Sequence, residues 1–103
     1  MVGEYLRNLT VMPNATADQI NALLDSAETK EVILFDKVTI ISYRLPVTGF
    51  VVTGMGNAAD PAKFDIEIGR ECARQDAFRQ LWPLETYRIQ CEDAGNKMRG
   101  VYY

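Results

Sequence analysis

The feature that most limits how this 103-residue chain can fold is a strand-forming run followed by a turn and a second such run. Residues 31–45 read EVILFDKVTIISYRL, and their many β-branched and aromatic side chains favour strands. Pro46 and Gly49 predict a turn, after which residues 49–55 read as the return strand. A hairpin on its own is marginally stable in water, so this one needs a further strand and a covering helix.

The alternation of side chains in the hairpin predicts its two faces. Thr39, Ile41, Tyr43 and Leu45 share one face, and Val38, Ile40, Ser42 and Arg44 share the other. We expect a third strand from residues 31–35 or from an N-terminal arm formed by residues 1–14. Together, residues 31–55 supply the strands of a small antiparallel sheet.

A short helix is predicted before the hairpin, over residues 16–29. Thr16 and Gln19 fit a capping box, in which the hydroxyl and the amide each satisfy a backbone N–H of the first turn. The apolar residues that follow have the spacing of one helix face; they are Ile20, Leu23, Leu24 and Ala27.

A longer helix is predicted after the hairpin, over residues 60–90. Asp60 followed by Pro61 is a helix-start signal, which Asp65 can reinforce. Small residues recur every fourth position at Gly69, Ala73 and Ala77, and they would let a sheet approach the helix closely. Pro83 predicts a kink, because proline lacks a donor and clashes with the preceding turn. Residues 91–103 read as a polar tail or a short extra strand.

These elements predict an α+β fold, in which a small antiparallel sheet is packed by a long C-terminal helix and a shorter N-terminal helix. The length suits a single domain spanning residues 1–103. The chain has no apolar run of about 18 residues, and its N-terminus lacks the pattern of a secretory signal, so we expect no membrane partner.

The charge balance and the absence of histidine exclude several functional classes. The net charge of −3 argues against general nucleic-acid binding, and the chain contains no histidine, the commonest general base. Two cysteines cannot form a structural zinc site alone. We expect Cys72 and Cys91 to be reduced, with one of them packed in the core. The sequence therefore predicts neither a metal site, a cofactor nor an enzyme.

Beyond composition, the segment from the hairpin to the long helix resembles a known family. The matching positions are Gly49, Phe50, Gly54, Asp60, Pro61, Phe64, Asp65, Ile68, Gly69, Arg70, Ala73, Ala77, Leu81, Trp82, Leu84, Glu85 and Tyr87. They resemble a family of small, functionally uncharacterised tailed-bacteriophage proteins named after two enterobacterial phage gene products. The likeness covers about residues 37–90, but residues 54–59 (GMGNAA) depart from the family's usual Gly-Glu-Ser-Ala-Cys-Val. The resemblance implies a phage origin and expression in the cytoplasm of the bacterial host.

Two groups of residues are candidates for binding a small anion. Gly54, Gly56 and Asn57 precede a predicted helix N-terminus, where backbone N–H groups favour phosphate, although a strand-to-helix connection also uses glycine for geometry alone. The arginines of the long helix could clamp a phosphate or could only form ion pairs on a solvated face. The complete candidate ligand site comprises Gly54, Gly56, Asn57, Arg70, Arg74, Tyr43 and Arg44.

Three functions remain open for such a chain. The first is counter-defence, in which a phage protein sequesters a small anionic nucleotide-like signal in a pocket at a subunit interface. The second is an acidic protein inhibitor of a host defence or CRISPR-type effector, and the third is a minor virion or morphogenesis protein. We expect a homo-oligomer, because the aromatic end formed by Tyr102 and Tyr103 and the edge of a small sheet both call for cover.

Overall fold

The computed structural model describes the backbone of residues 14–102 and the side chains of residues 14–96. Its elements are helix α1 (Ala17–Ser26), strands β1 (Glu28–Leu34), β2 (Val38–Arg44) and β3 (Val51–Asn57), a 3-10 turn (Pro61–Lys63) and helix α2 (Ile66–Tyr102). The three strands form an antiparallel sheet in the order β1–β2–β3, and α2 packs on it. The predicted α+β fold is confirmed. The predicted arm lies mostly outside the described residues.

Helix α1 begins at the predicted capping box but ends earlier than predicted. The Thr16 hydroxyl accepts a hydrogen bond from the Gln19 N–H, and the Gln19 side chain accepts one from the Thr16 N–H. Ala27 already has extended backbone angles, and Glu28 pairs with Arg44 in the sheet. The predicted end at residue 29 was wrong because strand pairing takes over the backbone groups from Glu28 onward.

The sheet has the predicted faces and gains its third strand from the chain just before β2. Thr39, Ile41 and Tyr43 are buried beneath α2, as the alternation predicted. β1 pairs with β2 over its full length, from Glu28 opposite Arg44 to Leu34 opposite Val38. The other face of the sheet is open and carries a cross-strand apolar row of Val32, Ile40 and Met55.

Small residues allow α2 to lie almost directly on the β3 backbone. A Cβ atom added to Gly54 would lie 1.9 Å from the carbonyl oxygen of Ala73, and one added to Gly56 would lie 2.6 Å from that of Gly69. Ala73 and Ala77 are fully buried, so the predicted close approach along the helix is confirmed. β3 ends at Asn57, two residues later than the predicted return strand, because the strand presents both Gly54 and Gly56 where the helix touches it.

Helix α2 begins later and ends later than predicted. The Asp60 carboxylate caps only the 3-10 turn, whereas the Asp65 carboxylate accepts the Glu67 N–H and starts α2. The predicted tail over residues 91–103 was wrong as far as Tyr102, because α2 continues through it. Ion pairs of Arg88 with residues one turn before and after it support this extension. Pro83 lies inside the helix, and the kink at this residue stays a prediction.

The two edges of the sheet differ in how they are covered. At the β3 edge, the Asp76 carboxylate of α2 accepts the Met55 N–H at 2.9 Å, and the Gln80 side chain donates to the Thr53 carbonyl at 2.8 Å. β1 lies at the other end of the strand order, and all seven of its residues are exposed. Side-chain hydrogen bonds from α2 therefore protect one edge from pairing with another chain.

Candidate functional site

The structure does not place the three predicted residues around β3 together on an open loop. Gly54 and Gly56 are buried, because their backbone packs against α2 instead of facing a ligand. Asn57 is exposed at the end of β3 and lines a cavity of about 80 Å³ together with residues such as Lys63 and Asp65. Such a cavity is far smaller than the roughly 300 Å³ at which small-molecule sites usually begin.

Arg70 forms ion pairs on both sides of its guanidinium. Its Nε and Nη2 atoms donate to the two carboxylate oxygens of Glu31 at 2.7 and 3.1 Å, and its Nη1 atom donates to Glu67 at 2.8 Å. The hydrogen bond from Arg70 lowers the pKa of Glu31, and the same bond raises the pKa of Arg70. This arginine therefore ties β1 to α2.

Arg44 and Tyr43 lie on opposite faces of β2. The exposed Arg44 pairs with Glu28 on the open face of the sheet, whereas Tyr43 is only 5 % exposed beneath α2. Burial raises the pKa of the Tyr43 phenol by removing water that would stabilise the phenolate. Because the two side chains point apart, the structure does not bring them together in one site.

Of the predicted residues, Arg74 lines a cleft whose volume is close to the roughly 300 Å³ at which small-molecule sites usually begin. The cleft lies between α1 and α2 and has a volume of about 280 Å³. It is lined by Asn21 of α1 and by Glu71, Arg74, Gln75, Phe78 and Arg79 of α2. These α2 residues are three or four positions apart, so they share one helix face. We call this feature the α1–α2 cleft.

The two arginines of the α1–α2 cleft are held differently. The Nη2 atom of Arg74 lies 2.8 Å from the Asp25 carboxylate and donates to the Asn21 side chain at 3.2 Å, so that guanidinium is fixed from the α1 side. Arg79 is 73 % exposed, and its closest approach to Asp76 is 3.7 Å. One guanidinium is therefore preorganised, and the other has room to turn toward a ligand.

The sequence could have located this cleft only in part. Arg74 and Arg79 were visible as cationic positions, and the spacing of Phe78 between them indicates a shared face. The contribution of Asn21 has no signal in the sequence, because the packing of α1 against α2 brings together residues more than 50 positions apart. The predicted core thiol was also wrong: Cys72 and Cys91 are both exposed, since the sheet contacts α2 through its glycine and alanine positions.

Comparison with known proteins agrees with the resemblance in the sequence. The model of the phage protein family described as N4 Gp49/phage Sf6 gene 66 matches residues 1–92. The chain belongs to this family. It is therefore a bacteriophage protein. The family match also covers the residues before the hairpin, which the resemblance over residues 37–90 did not include. No curated protein and no solved structure matches the chain significantly.

Helix α2 is long, but it does not have the composition of a membrane span. Across the part of the chain that the structure describes, no helix is both long and apolar enough to cross a bilayer. The same residues include no group of three or more histidine, cysteine or acidic side chains arranged to hold a metal ion.

Proposed function

We propose that this chain is a non-catalytic phage accessory protein that acts in the cytoplasm of the infected bacterium, where it sequesters a small nucleotide-like signalling molecule of host defence. The α1–α2 cleft is the observation that carries the proposal. Its volume of about 280 Å³ is close to the lower end for small-molecule sites, and it combines two guanidinium groups with an aromatic ring.

The chemistry of the α1–α2 cleft suits a nucleotide rather than a simple anion. The guanidinium groups of Arg74 and Arg79 can hold a phosphate through paired N–H donors. Phe78 also lines the cleft, and its ring offers a flat apolar surface for a base. Glu71 would repel a phosphate but can accept hydrogen bonds from sugar hydroxyls or from a base amino group. These groups define one orientation, with phosphate toward the arginines.

Sequestration needs affinity but no turnover, which fits the residues of the chain. The chain contains no histidine, so the usual triads and the commonest general base are missing from its sequence. A stoichiometric binder acts by lowering the free concentration of its ligand, and its effect is limited by the amount of protein that the phage makes.

Thermal unfolding in the presence of defined nucleotides tests this proposal. The probes are cyclic AMP and cyclic di-GMP, with inorganic phosphate as the reference anion. We expect one nucleotide to raise the melting temperature, and we expect Arg79→Gln, which changes a largely exposed side chain, to weaken its binding at least about tenfold. Arg74→Gln should have the larger effect, because it removes the fixed guanidinium.

Arg44→Gln is the matched control for these variants. It removes an exposed, ion-paired arginine of the same type from the open face of the sheet, and Arg44 does not line the α1–α2 cleft. Binding should be unchanged in this variant. Equal loss of binding in Arg44→Gln, or no response of the native protein to either nucleotide, would count against the cleft as the site.

A second candidate function is inhibition of a host defence effector by direct protein binding. The observation that favours it is the exposed β1 edge, which carries Val32, Leu34 and the 88 % exposed Phe35 at its end. An exposed edge strand can pair with an extended segment of another protein. Under this candidate, a Val32→Lys variant should lose inhibition of the effector, whereas Arg79→Gln should retain it.

A further inference from the structure

The C-terminal half of α2 carries an exposed apolar stripe that the proposed ligand site does not use. Leu84 is 50 % exposed and Tyr87 is 69 % exposed, and Cys91 and Ala94 are exposed as well. These four positions are separated by three, four and three residues. In the sequence, the same alternation continues at Met98 and Val101. A sustained alternation of three and four residues is the pattern of a coiled-coil seam.

The stripe begins at Leu84, beside the connection between β2 and β3, and continues toward the C-terminal end of α2. α2 contains 37 residues and is about 55 Å long, and Leu81 is the last fully buried residue among the side chains that the structure describes in it. The protein measures 61 × 31 × 17 Å with a radius of gyration of 18.5 Å, compared with about 13 Å for a compact domain of this length. α1 also contacts α2, and Trp82 and Ile89 of α2 pack against the buried core.

The stripe is narrow, which identifies the kind of surface it fits. Charged side chains border it, and Arg88 forms ion pairs with both Glu85 and Glu92 along the flank. A lipid surface or a globular core requires a broader apolar face, whereas a seam of this width fits one other helix. The charged flank remains in solvent when a second helix covers the seam.

We propose that a second copy of this chain covers the stripe, so that two α2 helices pair in opposite directions through their C-terminal halves. The alternation of three and four residues reads the same in both directions, so the stripe is complementary to itself. In the centre of such a pair, Cys91 faces Ala94 of the partner subunit. Each chain supplies the same residues, and the pair has twofold symmetry.

The position of the sheet decides the direction of the helices. Ala77, Leu84 and Cys91 are seven residues apart and therefore share a face, and Ala77 packs on the sheet at Gly54. In a parallel pair, both sheets would lie between the two helices at the same level and would hold them apart. In an antiparallel pair, the partner's last turn reaches the end of the sheet, at a groove of about 250 Å³ lined by Leu45, Phe50 and Leu84 among others.

Molar mass in solution tests the association, with two substitutions of the same type. The native protein should have twice the chain mass of 11.6 kDa by size exclusion with light scattering. Leu84→Glu should raise the dissociation constant of the dimer by at least about 100-fold, because it places an unpaired carboxylate in the seam. Val32→Glu is the control, since Val32 is 51 % exposed on the sheet, and it should leave the mass unchanged.

Cross-linking tests the direction in a Cys72→Ser background, which leaves Cys91 as the single thiol. Diamide oxidises two thiols to a disulfide and takes up their two electrons and two protons. Adding Ala94→Cys should give a covalent dimer on a non-reducing gel, whereas Cys91 alone should not. A covalent dimer through Cys91 alone would overturn the antiparallel pairing. A native protein of single-chain mass would overturn the association itself.

Discussion

The contact between α2 and β3 makes Gly54→Ala the most informative substitution for the fold. The added Cβ would lie 1.9 Å from the Ala73 carbonyl oxygen and 2.9 Å from the Ala77 backbone nitrogen. Both atoms belong to a helix backbone, so no flexible side chain can move aside. Restoring a separation of about 3.4 Å requires the helix to move by about 1.5 Å, which forfeits much of the dispersion energy along this contact.

We expect Gly54→Ala to lower the free energy of unfolding by about 3 kcal/mol, at the upper end of the usual cost of overpacking. The assay is urea unfolding at fixed protein concentration, followed by the fluorescence of Trp82. Gly95→Ala is the control, because nothing lies within 4 Å of its added Cβ. Because Gly95 lies inside a helix, replacing it with alanine should raise the free energy of unfolding by up to about 1 kcal/mol. A loss of less than about 0.5 kcal/mol in Gly54→Ala would refute the close packing.

Three further predictions concern the sheet. Asp76→Ala should cost about 1–2 kcal/mol in urea unfolding, because it leaves the Met55 N–H at the β3 edge without its acceptor. Arg70 lowers the pKa of Glu31, so the contribution of Glu31 to stability is present above its ordinary pKa of 4.5 and is lost as the pH falls through the folded-state value. The difference in unfolding free energy between the native protein and Glu31→Gln should therefore shrink on acidification. Burial raises the pKa of Tyr43, so its contribution to stability is complete below its ordinary pKa of 10.0 and is lost as the pH rises through the folded-state value. In an alkaline absorbance titration, Tyr43→Phe should therefore remove a phenol that ionises above the ordinary range.

Local chemistry and periodicity predicted the parts of the fold that depend on neighbouring residues. The capping box at Thr16, the alternation through Ile41 and Tyr43, and the small-residue positions of α2 all follow from spacing within one element. Each of these predictions concerns a feature that neighbouring residues determine almost by themselves. The structure confirms them.

The errors occurred where distant parts of the chain decide the outcome. The sequence predicts that Gly56 lies in a strand-to-helix connection, because glycine is typical of connections, but here it allows β3 to contact a helix farther along the chain. The sequence makes Arg70 a candidate anion clamp, but its guanidinium pairs with Glu31, which lies 39 residues away in the sequence. The α1–α2 cleft likewise depends on how two helices pack, which no spacing within either helix specifies.

The proposal that this phage protein sequesters a nucleotide-like signal is tested most directly by native mass spectrometry of the protein purified from bacteria with an active nucleotide-signalling defence. The account predicts a dimer that retains a small phosphate-containing molecule, and it predicts that Arg79→Gln releases the molecule while keeping the dimer. A protein that carries no small molecule and instead retains a host polypeptide would contradict sequestration and favour the inhibitor.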